Sequence, residues 1–281
     1  MKKSIYAHCL VKNEERFLWY SVTSIIDHVD KVLIWDTGST DNTIKIVNSL
    51  QNKYPEKILF KEYGEVNIDT FYKARQEMLN KTDSDWFLVL DGDEIWWDKS
   101  IKNVCSFINE QGNKYESIIV PTYNLVGDIF HYQEDKAGKY KFGKRKGHFN
   151  LRAVKRSIPG LKSFGMHGIW GWVDEKNNMI QDRDNKKIKY LDLPYLHLSF
   201  LKRGGSIKDD KIVVKRSKKF KYEFGNKFSL DFYYPEVFFK KRPVFIPSVW
   251  DSPGFNYKLR AFFETPLRKV KRRVFYGKTG Y

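Results

Sequence analysis

The sequence predicts an α/β domain, a mostly parallel sheet with helices on both faces, followed by a basic, aromatic C-terminal extension. Three observations carry this. Apolar runs of strand length alternate with amphipathic runs of helix length through the first hundred residues. The second and fourth of the predicted strands end in an aspartate followed by a turn of small or acidic residues. From about Leu201 the chain becomes rich in Lys, Arg, Phe and Tyr, and prolines at 235, 243, 247, 253 and 266 cut it into short pieces.

Taken in order, SIYAHCLV (4–11) reads as a strand, EERFLWYSVTSIIDH (14–28) as an amphipathic helix and KVLIWD (31–36) as a second strand. TDNTIKIVNSLQNKY (40–54) is a helix with an Asp or Thr cap. KILFKEYG (57–64), DTFYKARQEMLNKT (69–82) and DWFLVLD (85–91) complete a βαβαβαβ order, which requires parallel pairing through helical crossovers. Beyond Asp98 the rhythm changes. A helix near 99–111 leads to a strand over 116–126, a basic loop or hairpin over 131–150, a strand at LRAVKR and a glycine-rich stretch over 160–172. A last strand ends near His197. The organisation predicted is a catalytic domain over 1–200 and an appendage over 201–281.

With 281 residues, 41% hydrophobic and 30% charged, the chain has the composition of a globular protein, which excludes a disordered one. The formal charge of +17 favours polyanionic partners: nucleic acid, an anionic membrane surface or a phosphorylated substrate. Two cysteines, Cys9 and Cys105, lack metal-ligand spacing and read as buried hydrophobes of a reducing compartment. Lys12, Glu14 and Glu15 interrupt any apolar core of signal-peptide length, and no run reaches membrane-spanning length, so the expected location is the cytoplasm, with a peripheral contact at the inner face of the membrane.

The acidic strand ends point to chemistry. In LVLDGDE (88–94) residues two apart face the same way, so Asp91 and Asp93 present their carboxylates together, at a cost in repulsion and lost hydration that a cation repays. Oxygen ligands of this kind suit Mg²⁺ or Mn²⁺, which keeps positions open for substrate phosphates. Asp36 ends another apolar strand ahead of a small-residue turn and is expected to face a ligand, with Asp41 and Thr43 shaping the turn.

VKNEE (11–15), WDTGSTDNT (35–43), DTFYKARQEML (69–79) and LVLDGDE, in that order and spacing, resemble family-2 glycosyltransferases of the GT-A (Rossmann-like) fold. The resemblance covers about the first hundred residues well and the rest loosely. It implies a nucleotide-diphosphate sugar donor, a UDP-sugar being favoured, held near Glu14, Asp36, Arg75 and Asp91, with the metal chiefly on Asp93. FNLRAVKRSIPGLKSFGMHG and YLHLSF are similar to later family segments, which implies that His197 is a metal ligand and that His167 lines the acceptor side. Thr37 and Gly168 stand where the family often has acids. For a general base, Asp174, Glu175 and Glu94 are the candidates. Among Trp96, Trp97, Trp170 and Trp172, one or two are expected to stack on sugar faces, with Trp96 placed at the donor. Arg75 and cations of residues 140–145 are expected to assist at the diphosphate.

The expected reaction is metal-dependent sugar transfer to a hydroxyl of a glycan or lipid-linked acceptor, as in cell-envelope polysaccharide or glycolipid synthesis. Two rival readings are a D-x-D nucleotidyltransferase and a basic binding protein. The first lacks a Gly-Ser turn close before its acids, and nucleic acid is disfavoured because no known binding module appears and the acidic strand ends repel a backbone. YKLRAFFETPLRKVKRRVFYGK (257–278) mixes cations with apolar residues as a segment lying on an anionic membrane does, and Pro266 is expected to shorten any helix there.

Overall fold

A computed structural model describes residues 2–166, 168–213 and 216–274. Four parallel strands form its N-terminal half: β1 (Ile5–Val11), β2 (Lys31–Asp36), β3 (Ile58–Glu62) and β4 (Trp86–Leu90). Helices α1 (Leu18–Ile25), α2 (Thr43–Lys53) and α3 (Phe71–Asn80) make the crossovers. β1 pairs with β2 on one side and β4 on the other, and β3 lies outside β2. The chain therefore moves outward from β1 through β2 to β3 and returns to β4 on the opposite side. That reversal opens a crevice at the carboxyl ends of β1 and β4, where ligands of open α/β sheets bind.

The residue patterns explain the placement. All five residues of β4 are buried, as a strand covered on both faces requires, whereas β3 buries only Ile58 and stands at the edge. The helix expected over 14–28 is regular only at Leu18–Ile25, and every one of its residues is buried. Asn13, with φ of +53°, turns the chain, and Glu14 remains in that turn, where it faces the crevice.

The second half caps this sheet with antiparallel and returning strands. After the short β5 (Glu94–Trp96) and α4 (Asp98–Gln111) come β6 (Ser117–Val126) and β7 (Asp128–Tyr132). The basic stretch over 131–150 holds a small hairpin, β8 (Tyr140–Phe142) and β9 (Arg145–Gly147). β10 (Phe149–Lys155) inserts antiparallel between β4 and β6. A two-stranded sheet of β11 (Lys162–Phe164) and β12 (Gly171–Val173) follows, then β13 (Ile188–Tyr190) and β14 (Tyr195–His197), both parallel to β6. β14 also pairs antiparallel with β5, which sets His197 opposite Glu94.

The segment beyond Leu201 contains α5 (Ile207–Ile212), α6 (Arg216–Lys219), β15 (Asn226–Lys227) and α7 (Phe255–Val274). It is not a detached appendage. β15 adds to β7 in the main sheet, and Phe228, Val237, Phe238, Ile246 and Val249 share the core cluster of β1, α1 and β4. The aromatic residues seen in the sequence are the hydrophobic payload of that packing. α7 runs through Pro266 without interruption. The proline takes a partner from the Phe262 carbonyl, but both residues lie on the exposed face, where water can replace it. Among the described residues no helix is long and apolar enough to cross a membrane.

Candidate active site

A cavity of about 720 Å³ opens at the carboxyl ends of β1 and β4. Its carboxylates are Glu14, Asp91, Asp93 and Asp182, and its cations are Lys12, Arg75, Arg152, Arg203, Arg216 and Lys219.

The turn Asp91–Asp93 forms its floor. Gly92 is needed there for space, since a Cβ would meet the Glu14 Cγ at 2.9 Å. Asp91 accepts from the Arg75 Nη2 at 3.0 Å and contacts Arg152 at 3.5 Å. Asp93 is fully buried; its Oδ2 is in contact with the Arg203 guanidinium, while its Oδ1 has no hydrogen-bond partner among the described residues. The His197 Nε2 lies 3.6 Å from an Asp93 oxygen. One ligand atom each from Asp91, Asp93 and His197 lie within 4.8 Å of one another. A divalent cation fits: two carboxylates and an imidazole form a mixed O/N donor set, and the unpartnered Asp93 Oδ1 is the kind of buried polar atom that an ion satisfies.

The electrostatics support that fit. Burial pushes the Asp93 carboxyl up, but the Arg203 guanidinium and the His197 ring outweigh it, so the group lies below the usual carboxylate range. Asp91, raised by burial, is likewise held well down by Arg152 and Arg75. Burial lowers His197 to about 4 against the pull of Asp93, leaving a neutral ring with a lone pair for a metal at neutral pH. Glu94 differs. Burial pushes it up, Arg152 opposes, and the charges of Asp91 and Asp93 carry it to about 8.

Glu14 faces the same cavity, ion-paired with Arg216 at 2.5 Å and Arg203 at 3.4 Å. Burial raises it to about 7 even against those two cations. Arg75 lines the wall beside Trp170, whose ring centre lies 5.1 Å from the guanidinium in a cation–π contact, and both residues belong to the cavity lining.

Several of the expected site residues are placed outside the cavity lining. Asp36 is not among the lining residues: its carboxylate accepts from the backbone N–H groups of Gly38 at 2.9 Å and Ser39 at 2.8 Å and from the Ser39 hydroxyl. It is the anchor of its own turn, and Thr37 is the residue that reaches the lining. Trp96 is buried and stacked on Tyr195 with ring centres 4.9 Å apart, so it cannot touch a donor. Trp172 packs on Phe87 and His8, and the Trp97 Nε1 donates to the Tyr233 carbonyl. Of the four tryptophans only Trp170 lines the cavity.

None of the three base candidates lines it. Asp174 accepts from the N–H groups of Lys176 and Asn178 and pairs with Arg183, Glu175 is exposed outside the lining, and Glu94 is fully buried against Arg152. His167 lies outside the described residues. Within 140–145 the lining residue is Tyr140, and Arg145 instead lies over the Tyr190 ring at 4.3 Å.

Sequence reasoning missed Arg152, Arg203, Arg216 and Asp182. Arg152 left a signal, a charge inside the apolar run of a central strand, where burial demands a partner. Arg203 and Arg216 left none, because their partners Asp93 and Glu14 are more than a hundred residues away.

An α/β domain that gathers a three-donor metal site and a wall of guanidiniums at its strand ends has the parts to bind a phosphorylated ligand through a divalent ion. Residues 10–170 match the profile of glycosyl transferase family 2, and the chain belongs to that family of glycosyltransferases, with the mixed sheet of the GT-A, Rossmann-like fold. Over 85 residues it is 33% identical to a TPR repeat-containing protein of Synechococcus elongatus, a stretch that covers 30% of this chain and 19% of that one.

Among solved structures it is similar to TarS residues 1–349 of S. aureus, with a TM-score of 0.43 and 14% identity over 70% of this chain and 60% of that one. It is also similar to glucosyl-3-phosphoglycerate synthase of Mycobacterium tuberculosis solved with Mn²⁺ and UDP-glucose, with a TM-score of 0.46 and 16% identity over 74% of this chain and 73% of that one. The chain thus spans about a fifth of the length of the curated relative and three fifths of the TarS chain.

Proposed function

We propose that this protein transfers a sugar from a nucleoside-diphosphate donor, a UDP-sugar in the first instance, to a hydroxyl of a glycan or lipid-linked acceptor in cell-envelope polysaccharide or glycolipid synthesis, with Mn²⁺ or Mg²⁺ as cofactor. The observation that carries the reading is the convergence of Asp91, Asp93 and His197 beside Arg75, Arg152, Arg203 and Arg216 in one cavity. Asp91, Asp93 and His197 would hold the ion, which neutralises charge on a diphosphate leaving group.

The chain's own groups set the rest. Arg75 and Arg152 fix Asp91 in place, and Arg203 keeps Asp93 ionised. With Glu14 and Glu94 both raised, the four guanidiniums leave the cavity wall electropositive, which suits a diphosphate. Trp170 offers an aromatic face for a sugar or base. In the transfer the acceptor oxygen bonds to the anomeric carbon, the bond from that carbon to the diphosphate oxygen breaks, and the acceptor proton passes to a base. Asp182 is the lining carboxylate with no ion pair among the described residues, and we assign it that role.

Thermal denaturation with UDP, GDP, CDP, TDP and ATP, each with and without Mn²⁺, tests the donor site. A shift with one diphosphate that needs the metal and vanishes in Asp93→Ala is expected. A shift that persists in Asp93→Ala would refute the metal assignment. Asp182→Asn should lower kcat by about 10² to 10⁴ while that metal-dependent shift is kept. Unchanged turnover would move the base elsewhere.

A further inference from the structure

The helix α7 carries an apolar face that nothing in the protein covers. On a helical projection at about 100° per residue, Phe255, Leu259, Phe262, Phe263, Pro266, Leu267, Val270 and Val274 share one arc of about 140°, in which Asn256 and Arg273 are the polar residues. All eight are exposed, Phe262 at 65%, Phe263 at 64% and Leu267 at 71%. The opposite side is the docked one. Ala261 and Thr265 are buried, the Thr265 hydroxyl accepts from the Phe224 N–H, the Tyr257 hydroxyl donates to the Lys221 carbonyl, and Arg272 is clamped by Glu223 and Glu134. The helix is thus held along one stripe with its apolar arc turned directly away from the body, an arrangement that a core helix does not need and that soluble proteins avoid.

Charge selects the occupant. α7 has seven Lys or Arg residues against the single acid Glu264, which is already paired with Arg260 and Arg268. Lys258 and Lys269 border one edge of the apolar arc, Lys271 lies just beyond the other, and Arg273 sits within it. None of these four has an ion pair among the described residues. Phe and Leu in the centre with free cations along the margins complement the acyl boundary and headgroups of an anionic bilayer, whereas two copies of this face would bring like charges together.

We infer that α7 lies in the plane of an anionic lipid surface, apolar arc down, and anchors the protein peripherally to it. The inference concerns what the protein docks on and stands apart from the transfer chemistry.

The test is co-sedimentation of the full chain with vesicles of phosphatidylcholine alone and of phosphatidylcholine mixed with phosphatidylglycerol. Binding to the mixed vesicles, weak binding to the neutral ones and release by salt are expected, since screening weakens the headgroup attraction. The double variant Phe262→Ser/Phe263→Ser should lose about tenfold or more of this partition. Because both side chains are exposed, its melting temperature should match the wild type, and its response to diphosphate and metal should equal that of the wild type, so that failure of the donor site and failure of membrane docking are read separately. No partition onto anionic vesicles, or equal partition of the variant, would overturn the inference. So would a wild-type dimer in light scattering that the same variant converts to monomer, because the occupant would then be a second copy of the chain.

Discussion

β2 and β4 flank β1 as parallel partners, and each runs from an apolar strand into an aspartate near a glycine, yet the two ends have opposite fates. At the end of β2 the donors for Asp36 lie two and three residues along the chain, and the turn closes on itself around the carboxylate. Gly38, at φ of +87°, makes that tight return possible. At the end of β4 no local donor satisfies Asp93. Its counter-charge comes from Arg203 and the His197 ring stands 3.6 Å away, both brought in by later strands and loops, and its Oδ1 keeps its hydrogen-bonding capacity. An acid at a strand end is therefore left open to a ligand only where the following residues fail to consume it.

The contrast can be sharpened by removing each partner. The largest effect is expected at Arg203. Arg203→Met strips Asp93 and Glu14 of a buried cation and should cost about 3 to 5 kcal/mol of stability. Mn²⁺ should restore part of it by supplying positive charge at Asp93, so thermal denaturation should show a larger Mn²⁺ shift for the variant than for the wild type. A small, metal-independent loss would mean that Asp93 is not held open for a cation.

Asp36→Ala comes next. It leaves the Gly38 and Ser39 N–H groups without their acceptor and should cost about 2 to 4 kcal/mol in urea unfolding, while turnover per folded molecule changes little. A variant that folds normally but loses donor binding would restore Asp36 to the ligand-facing role that the sequence suggested.

The smallest effect concerns the strand between the two ends. His8 on β1 is fully buried, stacked on Phe87 and bonded through Nε2 to the Thr82 hydroxyl at 2.5 Å. Burial, with Arg75 and Arg156 adding to it, holds its pKa well below the ordinary value, so the folded chain keeps the ring neutral while the unfolded chain protonates it. Its contribution is fully present above about pH 6.5 and is lost as pH falls toward the folded value, with a slope of at most about 1.4 kcal/mol per pH unit. His8→Phe should flatten the acid limb of stability against pH. An unchanged limb would assign that loss to other groups.

The parallel half was legible because its information is local. Period-two and period-3.6 patterns placed β1, β2, β4, α2 and α3 within a few residues of their positions, and D-x-D spacing marked Asp91 and Asp93. His197 came from the resemblance alone, and the pairing of β14 with β5 is what sets it by the acids. Asp174 and Trp96 stand outside the cavity lining, and one physical reason hides this in the sequence: a carboxylate or indole looks the same whether it faces a ligand or is spent on a turn or a core. Asp174 is spent on a turn and Arg183, and Trp96 on Tyr195.

By itself the sequence determined the strand–helix alternation, the family and the acidic pair, because each depends on neighbours a few residues away. Only the tertiary structure decided which acids stay open, which tryptophan reaches the cavity and where its arginines come from. Those outcomes depend on burial and on partners more than a hundred residues distant, as with Arg203 on Asp93 and Arg216 on Glu14, and no local pattern encodes such a distance.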